Sequence, residues 1–202
     1  MEEYRLSNGM TIPKIGFGTW QIPDGEEVYN SVTHALKVGY RHVDTAQIYR
    51  NEVGVGRAIA DSDLARENIF LTTKIWNDKH DYDLAKASIE ESLEKLGVDY
   101  VDLLLIHWPN PKALREKDAW KAGNAGAWKA MEEAYRAGRV RAIGVSNFMI
   151  HHLEALLETA DIKPHVNQVL LAPGCTQENL VAFCRQHEIL LEAYSPLGTG
   201  SI

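Results

Sequence analysis

The 202-residue sequence predicts an α/β fold built on a parallel sheet. Three observations lead there. Short apolar runs alternate with helical patterns, the connections between them are short, and one run, "VDLLLIHWPNP" at 101–111, has five apolar residues in its first six positions. A strand that is apolar on both faces needs cover on both, which helices flanking a parallel sheet supply. Such a sheet is either doubly wound or closed into a barrel. Both architectures place ligands at the C-terminal ends of the strands.

The elements follow in order. "YRLSNGMTIPKIGFGTW" sets Asn8-Gly9 between two short alternating runs, a strong hairpin signal. The strand runs are then "KIGFGT", "RHVDTA", "IFLTTK", "VDLLLIHW", "VRAIGVSN", "HVNQVLL" and "ILLEAYS". Asp24 before Gly-Glu-Glu predicts a helix N-cap and an acidic first turn. "EVGVGRAI" reads as a helix that tolerates Gly54 and Gly56. It lacks the third glycine and the preceding strand of a dinucleotide fingerprint. In "DLAKASIEESLEKLG", Leu84, Ile89, Leu93 and Leu96 are expected on one face, Glu91 pairs with Lys95, and Gly97 sits at the C-cap. Residues 109–126 form the longest irregular segment, and its charged part "PKALREKD" reads as a solvated loop edge. His151-His152 should begin a solvent-facing helical turn. Leu180, Phe183, Cys184 and His187 follow helical spacing. No linker or low-complexity tract intervenes, so residues 1–202 read as a single domain.

Composition narrows the function. Hydrophobic residues at 45% and charged residues at 24% are ordinary for a globular protein and argue against disorder. A net charge of −7 argues against nucleic acid as the main partner. No apolar run approaches the ~20 residues of a membrane span, and the acidic, polar "MEEYRLSNGM" does not resemble a signal peptide. The two cysteines, Cys175 and Cys184, read as free thiols in a reducing, cytoplasmic setting. With His187 they lack zinc spacing and a fourth ligand, so no metal is expected.

The strand ends carry the chemistry. Successive runs finish near Asp44, Lys74, His107, Ser146-Asn147, Asn167-Gln168 and Tyr194-Ser195. Apolar strands that each surface on a titratable or amide side chain describe one ring of reactive groups. Asp44 should keep Lys74 charged. The ammonium should lower the pKa of Tyr49, five residues beyond Asp44, and ease proton transfer. His107 could orient a carbonyl oxygen by a hydrogen bond. No side chain supplies hydride, so this kit calls for a nicotinamide cofactor. Trp20, Trp76 and Trp108, just past strand ends, suit an apolar pocket. A Schiff-base role for Lys74 would need a neutral amine, which Asp44 opposes.

The motifs "GFGTW", "GYRHVDTAQIYRNE", "LTTKIW", "LLLIHWP", "AIGVSNF", "NQV" and "EAYSPLG" stand in this order over nearly the whole chain. In them the sequence resembles the aldo-keto reductase family, on its aldehyde and diketogluconate reductase-like side. The resemblance implies a (β/α)8 TIM barrel with an N-terminal β-hairpin, of which this chain covers about seven of eight strands. It implies NADPH-dependent reduction of aldehydes and ketones to alcohols, with NADH left open as the cofactor. Carried over, Tyr49 is the general acid, Lys74 and Asp44 tune it, and His107 orients the substrate. Thr19, Asp44, Ser146, Asn147, Gln168, Tyr194, Ser195, Leu197 and Gly198 hold the cofactor. Trp20, Ile48, Tyr49, Trp76, His107 and Trp108 bind a small-molecule carbonyl substrate. A monomer is expected of the full-length protein.

Two departures stand out. Ala172 occupies a position where the family usually has histidine, outside the catalytic four. The chain also stops at Ile202, where family members continue through a further helix, an eighth strand and a segment gripping the adenosine 2′-phosphate. Residues 1–202 are therefore expected to be part of a longer polypeptide. A non-catalytic cofactor-binding sensor or scaffold, or an inactive fragment, is the alternative on the same fold. The intact set Asp44, Tyr49, Lys74 and His107 argues against it.

Overall fold

The computed structural model describes residues 2–198, so the chain end at Ile202 lies outside the described residues. The Asn8-Gly9 hairpin is present. β1 (Glu3–Arg5) pairs antiparallel with β2 (Thr11–Pro13), Tyr4 opposite Ile12, and Gly9 turns with φ 89°. Asn8 Nδ2 donates to Arg141 O at 3.1 Å, fastening the hairpin across one end of the sheet.

Seven parallel strands follow in chain order: β3 (Phe17–Gly18), β4 (His42–Asp44), β5 (Phe70–Ile75), β6 (Leu103–Ile106), β7 (Ile143–Ser146), β8 (Val166–Leu170) and β9 (Leu190–Tyr194). The sheet is strongly curled. β4 and β8 are four positions apart in it, about 19 Å in a flat sheet at ~4.8 Å per strand. Yet Gln168 Nε2 on β8 meets Asp44 Oδ2 on β4 at 2.9 Å. The seven strands form most of a barrel wall.

Alternation along the strands separates two cores. Phe70, Leu103, Leu105, Ala142 and Val166 point inward and pack with Leu6 and Ile12 of the hairpin, which floors the barrel. Leu71, Ile75, Leu104, Ile106, Ile143 and Val145 point outward against the helices. The apolar run at 101–106 is thus buried on both faces, as its composition predicts.

The helices are α1 (Glu26–Lys37), α2 (Glu52–Ala60), α3 (Tyr82–Leu96), α4 (Ala119–Arg136), α5 (Ile150–Leu157) and α6 (Glu178–Gln186). None of the described helices is long and apolar enough to cross a membrane. Gly97 closes α3 with φ 64°, and Glu91 meets Lys95 at 2.6 Å, as expected.

Five local expectations are corrected. Gly25, not Asp24, caps α1, because Asp24 Oδ1 is taken by Gly54 N at 2.9 Å. Gly54 and Gly56 are required rather than tolerated: a Cβ at Gly56 would lie 2.2 Å from Leu96 O, where α2 packs on α3. Leu84 is exposed, and Ala85 takes its place on the buried stripe with Ile89, Leu93 and Leu96. The segment 109–126 is irregular only to Asp118, since α4 begins at Ala119 and buries Trp120 against the histidines of α5. His152 is buried, not solvent-facing, because its Nδ1 accepts from Met149 N at 3.1 Å and caps α5.

Candidate active site

The C-terminal strand ends converge on one cleft of about 1110 Å³. Strand periodicity places the groups there. Lys74 is two residues beyond inward-facing Thr72, and His107 is two beyond inward-facing Leu105, so both point into the barrel at its upper rim. Tyr49 arrives on the 3₁₀ turn Gln47–Tyr49 that follows β4.

The four expected catalytic side chains are together. Lys74, only 1% exposed, hydrogen-bonds Asp44 Oδ1 and donates to Thr45 O at 3.0 Å. Its Nζ lies 5.2 Å from the centre of the Tyr49 ring. Tyr49 and His107 meet edge to face with centroids 5.8 Å apart, and Trp76 supports the other side of His107 at 5.2 Å.

Electrostatics refine the expected roles. Burial opposes the Lys74 charge, but Asp44 and Tyr49 outweigh it and hold the ammonium above its ordinary value. His107 is pushed down to about 3, first by burial and then by Lys74, so its ring is neutral and offers a hydrogen bond rather than a charge. For Tyr49 the expected direction is corrected. Burial raises its pKa more than Lys74 lowers it, and the net shift is upward. The ammonium moderates the phenol's proton affinity without making it an unusually strong acid.

One wall of the cleft is polar. Ser146 Oγ donates to Gln168 O at 2.8 Å, and Asn147 Nδ2 donates to His107 O at 3.0 Å. Tyr194 OH donates to Asn147 Oδ1 at 2.9 Å, which fixes its ring beside these amides. Ser195 and Gly198 also line the cleft. Thr19 does not: it is buried behind Asp44, with its hydroxyl on Asp44 O at 3.1 Å. Leu197 is 73% exposed and stands off the wall. The rim is apolar, formed by Trp20, Ile48, Trp76 and Trp108 around Tyr49 and His107. Trp20 and Trp108 are exposed, at 55% and 43%.

Two supporting residues escaped the sequence reading. Asn51 accepts from Thr45 Oγ1 at 2.7 Å and donates to Thr19 O and Ile22 O, binding the loops after β3 and β4 together behind Asp44. Gln47 accepts from Trp76 N at 2.9 Å and donates to Ser92 Oγ and Ser88 O, anchoring the Tyr49 turn to α3. Both lie in "DTAQIYRNE" beside Asp44 and Tyr49, and their amides carry no titratable signal of their own. Ala172 sits in a tight turn with Cys175, away from the four.

Comparison with known proteins agrees with this geometry. The model of the aldo/keto reductase family matches residues 14–202. The chain belongs to that family. It is 48% identical to glyoxal reductase of Bacillus subtilis over 198 residues, covering 98% of this chain and 68% of that protein. An aldo/keto reductase from Brucella melitensis superposes with TM-score 0.91 at 45% identity, over 98% of this chain and 73% of that one. A Bombyx mori aldo-keto reductase crystallised with NADP matches with TM-score 0.84 at 38% identity, over 96% and 66%. The chain thus spans about two thirds of the length of these aldo-keto reductases. The (β/α)8 expectation holds for the seven parallel strands described.

Proposed function

We propose that this aldo-keto reductase reduces small aldehydes and ketones to alcohols, with NADPH as the reductant and Tyr49 as the proton donor. The observation that carries the reading is the meeting of Tyr49, Lys74, Asp44 and neutral His107 at the floor of an aromatic-rimmed cleft.

The polar wall suits the cofactor. A flat tyrosine ring, Tyr194, stands beside the hydroxyl of Ser146 and the amides of Asn147 and Gln168, as a planar ring bearing a carboxamide requires. Ser195 and Gly198 would face the next part of that molecule. The bound nicotinamide supplies the hydride that the side chains cannot.

The remaining steps belong to the chain. Trp20, Ile48, Trp76 and Trp108 exclude water and hold the apolar part of the substrate. His107, uncharged, donates a hydrogen bond to the carbonyl oxygen and aims it at Tyr49. The Tyr49 hydroxyl would give its proton to that oxygen as the carbonyl is reduced. The phenolate left behind is stabilised by the Lys74 ammonium, which Asp44 keeps charged and in place.

The deciding experiment follows NADPH consumption with a reactive aldehyde such as methylglyoxal, in the protein and in Tyr49→Phe. Turnover should fall at least ~100-fold in the variant, the low end for general acid catalysis. Cofactor affinity should be retained. Equal turnover in the two proteins would remove Tyr49 from the mechanism.

A further inference from the structure

Beneath the Asp44–Lys74 pair lies a second carboxylate. Glu192 stands on β9 one inward position below Tyr194, paired in register with Gln168 on β8. Its Oε1 is 3.9 Å from His42 Nε2. Its Oε2 is sealed from solvent with no hydrogen-bond partner. A carboxylate oxygen of Glu192, one of Asp44 and a ring nitrogen of His42 lie within 4.8 Å of one another. Gln168, the register partner of Glu192, donates its Nε2 to Asp44 Oδ2 at 2.9 Å.

The charge balance of this cluster is uneven. β5 contributes the one cation, Lys74, and β4 contributes Asp44 and His42. His42 is uncharged because burial pushes it down to about 4, and its Nε2 is shared with Thr72 Oγ1 at 2.9 Å. The turn after β4 contributes Tyr49, and β8 contributes only the uncharged Gln168. Lys14 and Tyr4 of the hairpin region also line the cleft, but Lys14 is engaged by Glu2 at 2.7 Å. Asp102, farther below, acts on His42. Two partly buried carboxylates therefore share the Lys74 ammonium at the wall of the cleft, where the charge of each opposes ionisation of the other.

We propose that Glu192 is a positioning residue for proton transfer, gaining or losing a proton beside the Asp44–Lys74 pair and thereby setting how tightly Tyr49 holds its own. The proposal rests on the reductase reading above. Burial, with Asp44 next, raises the Glu192 carboxyl to about 7, so the switch falls in the working range of pH. With Glu192 protonated, the Lys74 field is balanced only by Asp44 and reaches the phenol. With Glu192 ionised, its proton having left to solvent, the added negative charge offsets Lys74 and Tyr49 becomes a weaker acid.

The test uses the full-length polypeptide and two readouts. One is the pH profile of kcat for aldehyde reduction. The other is the ultraviolet titration of the Tyr49 phenol, taken as the difference between the protein and its Tyr49→Phe variant. In Glu192→Gln the phenol should ionise ~0.5–1 pH unit lower, as expected on removing a nearby like charge. The neutral-range inflection in kcat should disappear, whereas Glu192→Asp, which keeps the charge, should retain it. An unshifted phenol in Glu192→Gln overturns the inference. Absence of any aldehyde reduction by the parent protein instead sinks the reductase reading, and the phenol titration still decides the role of Glu192. Should Glu192→Gln not fold, carboxyl-13C glutamate spectra of the parent protein must show a carboxyl titrating near neutrality, and its absence overturns the inference equally.

Discussion

Gln168 Nε2 donates to Asp44 Oδ2 at 2.9 Å, joining residues 124 positions apart in the chain across the barrel interior. With Lys74 on the other carboxylate oxygen, Asp44 has both acceptors filled and one orientation. Gln168→Leu keeps much of the side-chain volume but removes the donor from the half-buried Asp44 Oδ2. Unfolding in urea should show a loss of ~1 kcal/mol, the net worth of a typical hydrogen bond. Unchanged stability would mean that solvent reaches Oδ2.

The Asp44–Lys74 pair predicts a non-additive result. Lys74→Met leaves a carboxylate in a buried site without its cation, and breaking such a pair from one side costs ~3–5 kcal/mol. Adding Asp44→Asn removes the stranded charge. The double variant should therefore recover most of the stability while its turnover stays at least ~100-fold down, because Tyr49 has lost its cation. Additive stability losses would show that the two side chains do not act as a unit.

At Gly56 the barrier is steric. A methyl there would meet Leu96 O at 2.2 Å and the Leu96 carbonyl carbon at 2.6 Å, both backbone atoms at the end of α3. Nothing flexible can yield, so α2 must lift off α3. Gly56→Ala should lose ~1–3 kcal/mol or more despite the better helix propensity of alanine. A thermal midpoint equal to or above that of the parent protein would show that the helices can separate cheaply.

Much of this was legible in the sequence because strands report their own geometry. The run ending at Ile106 could be buried on both faces only in a covered sheet, and Lys74 and His107 then had to surface at the same end. Other features depend on contacts that no local pattern encodes. Asp24 has the right residue type for an N-cap, yet its carboxylate is recruited by Gly54, 30 positions away. His152 looks polar in sequence, but Trp120 and Phe148 pack around it. The direction of the Tyr49 shift failed for the same reason: the Lys74 charge is visible in sequence, while the depth of burial that outweighs it is not.

Burial also governs how the protein meets acid. His42, His80 and His152 are each pushed down to about 4 and His107 to about 3, all from an ordinary 6.5, with burial the first cause in every case. A histidine with a depressed folded pKa binds its proton more readily when the chain unfolds. The stabilisation is therefore complete above the unfolded value of 6.5 and is lost as pH falls from there toward 4. Each group contributes a slope of up to about 1.4 kcal/mol per pH unit inside that window. Glu192, raised to about 7, binds its proton more tightly in the fold and opposes one histidine between pH 7 and 4.5, so urea midpoints should fall below pH ~6.5 with the slope of the histidines it leaves uncompensated. His42→Asn, which keeps a neutral polar group beside Thr72, should make that slope shallower by about one proton's worth. A slope identical to that of the parent protein would show that His42 titrates normally in the folded state.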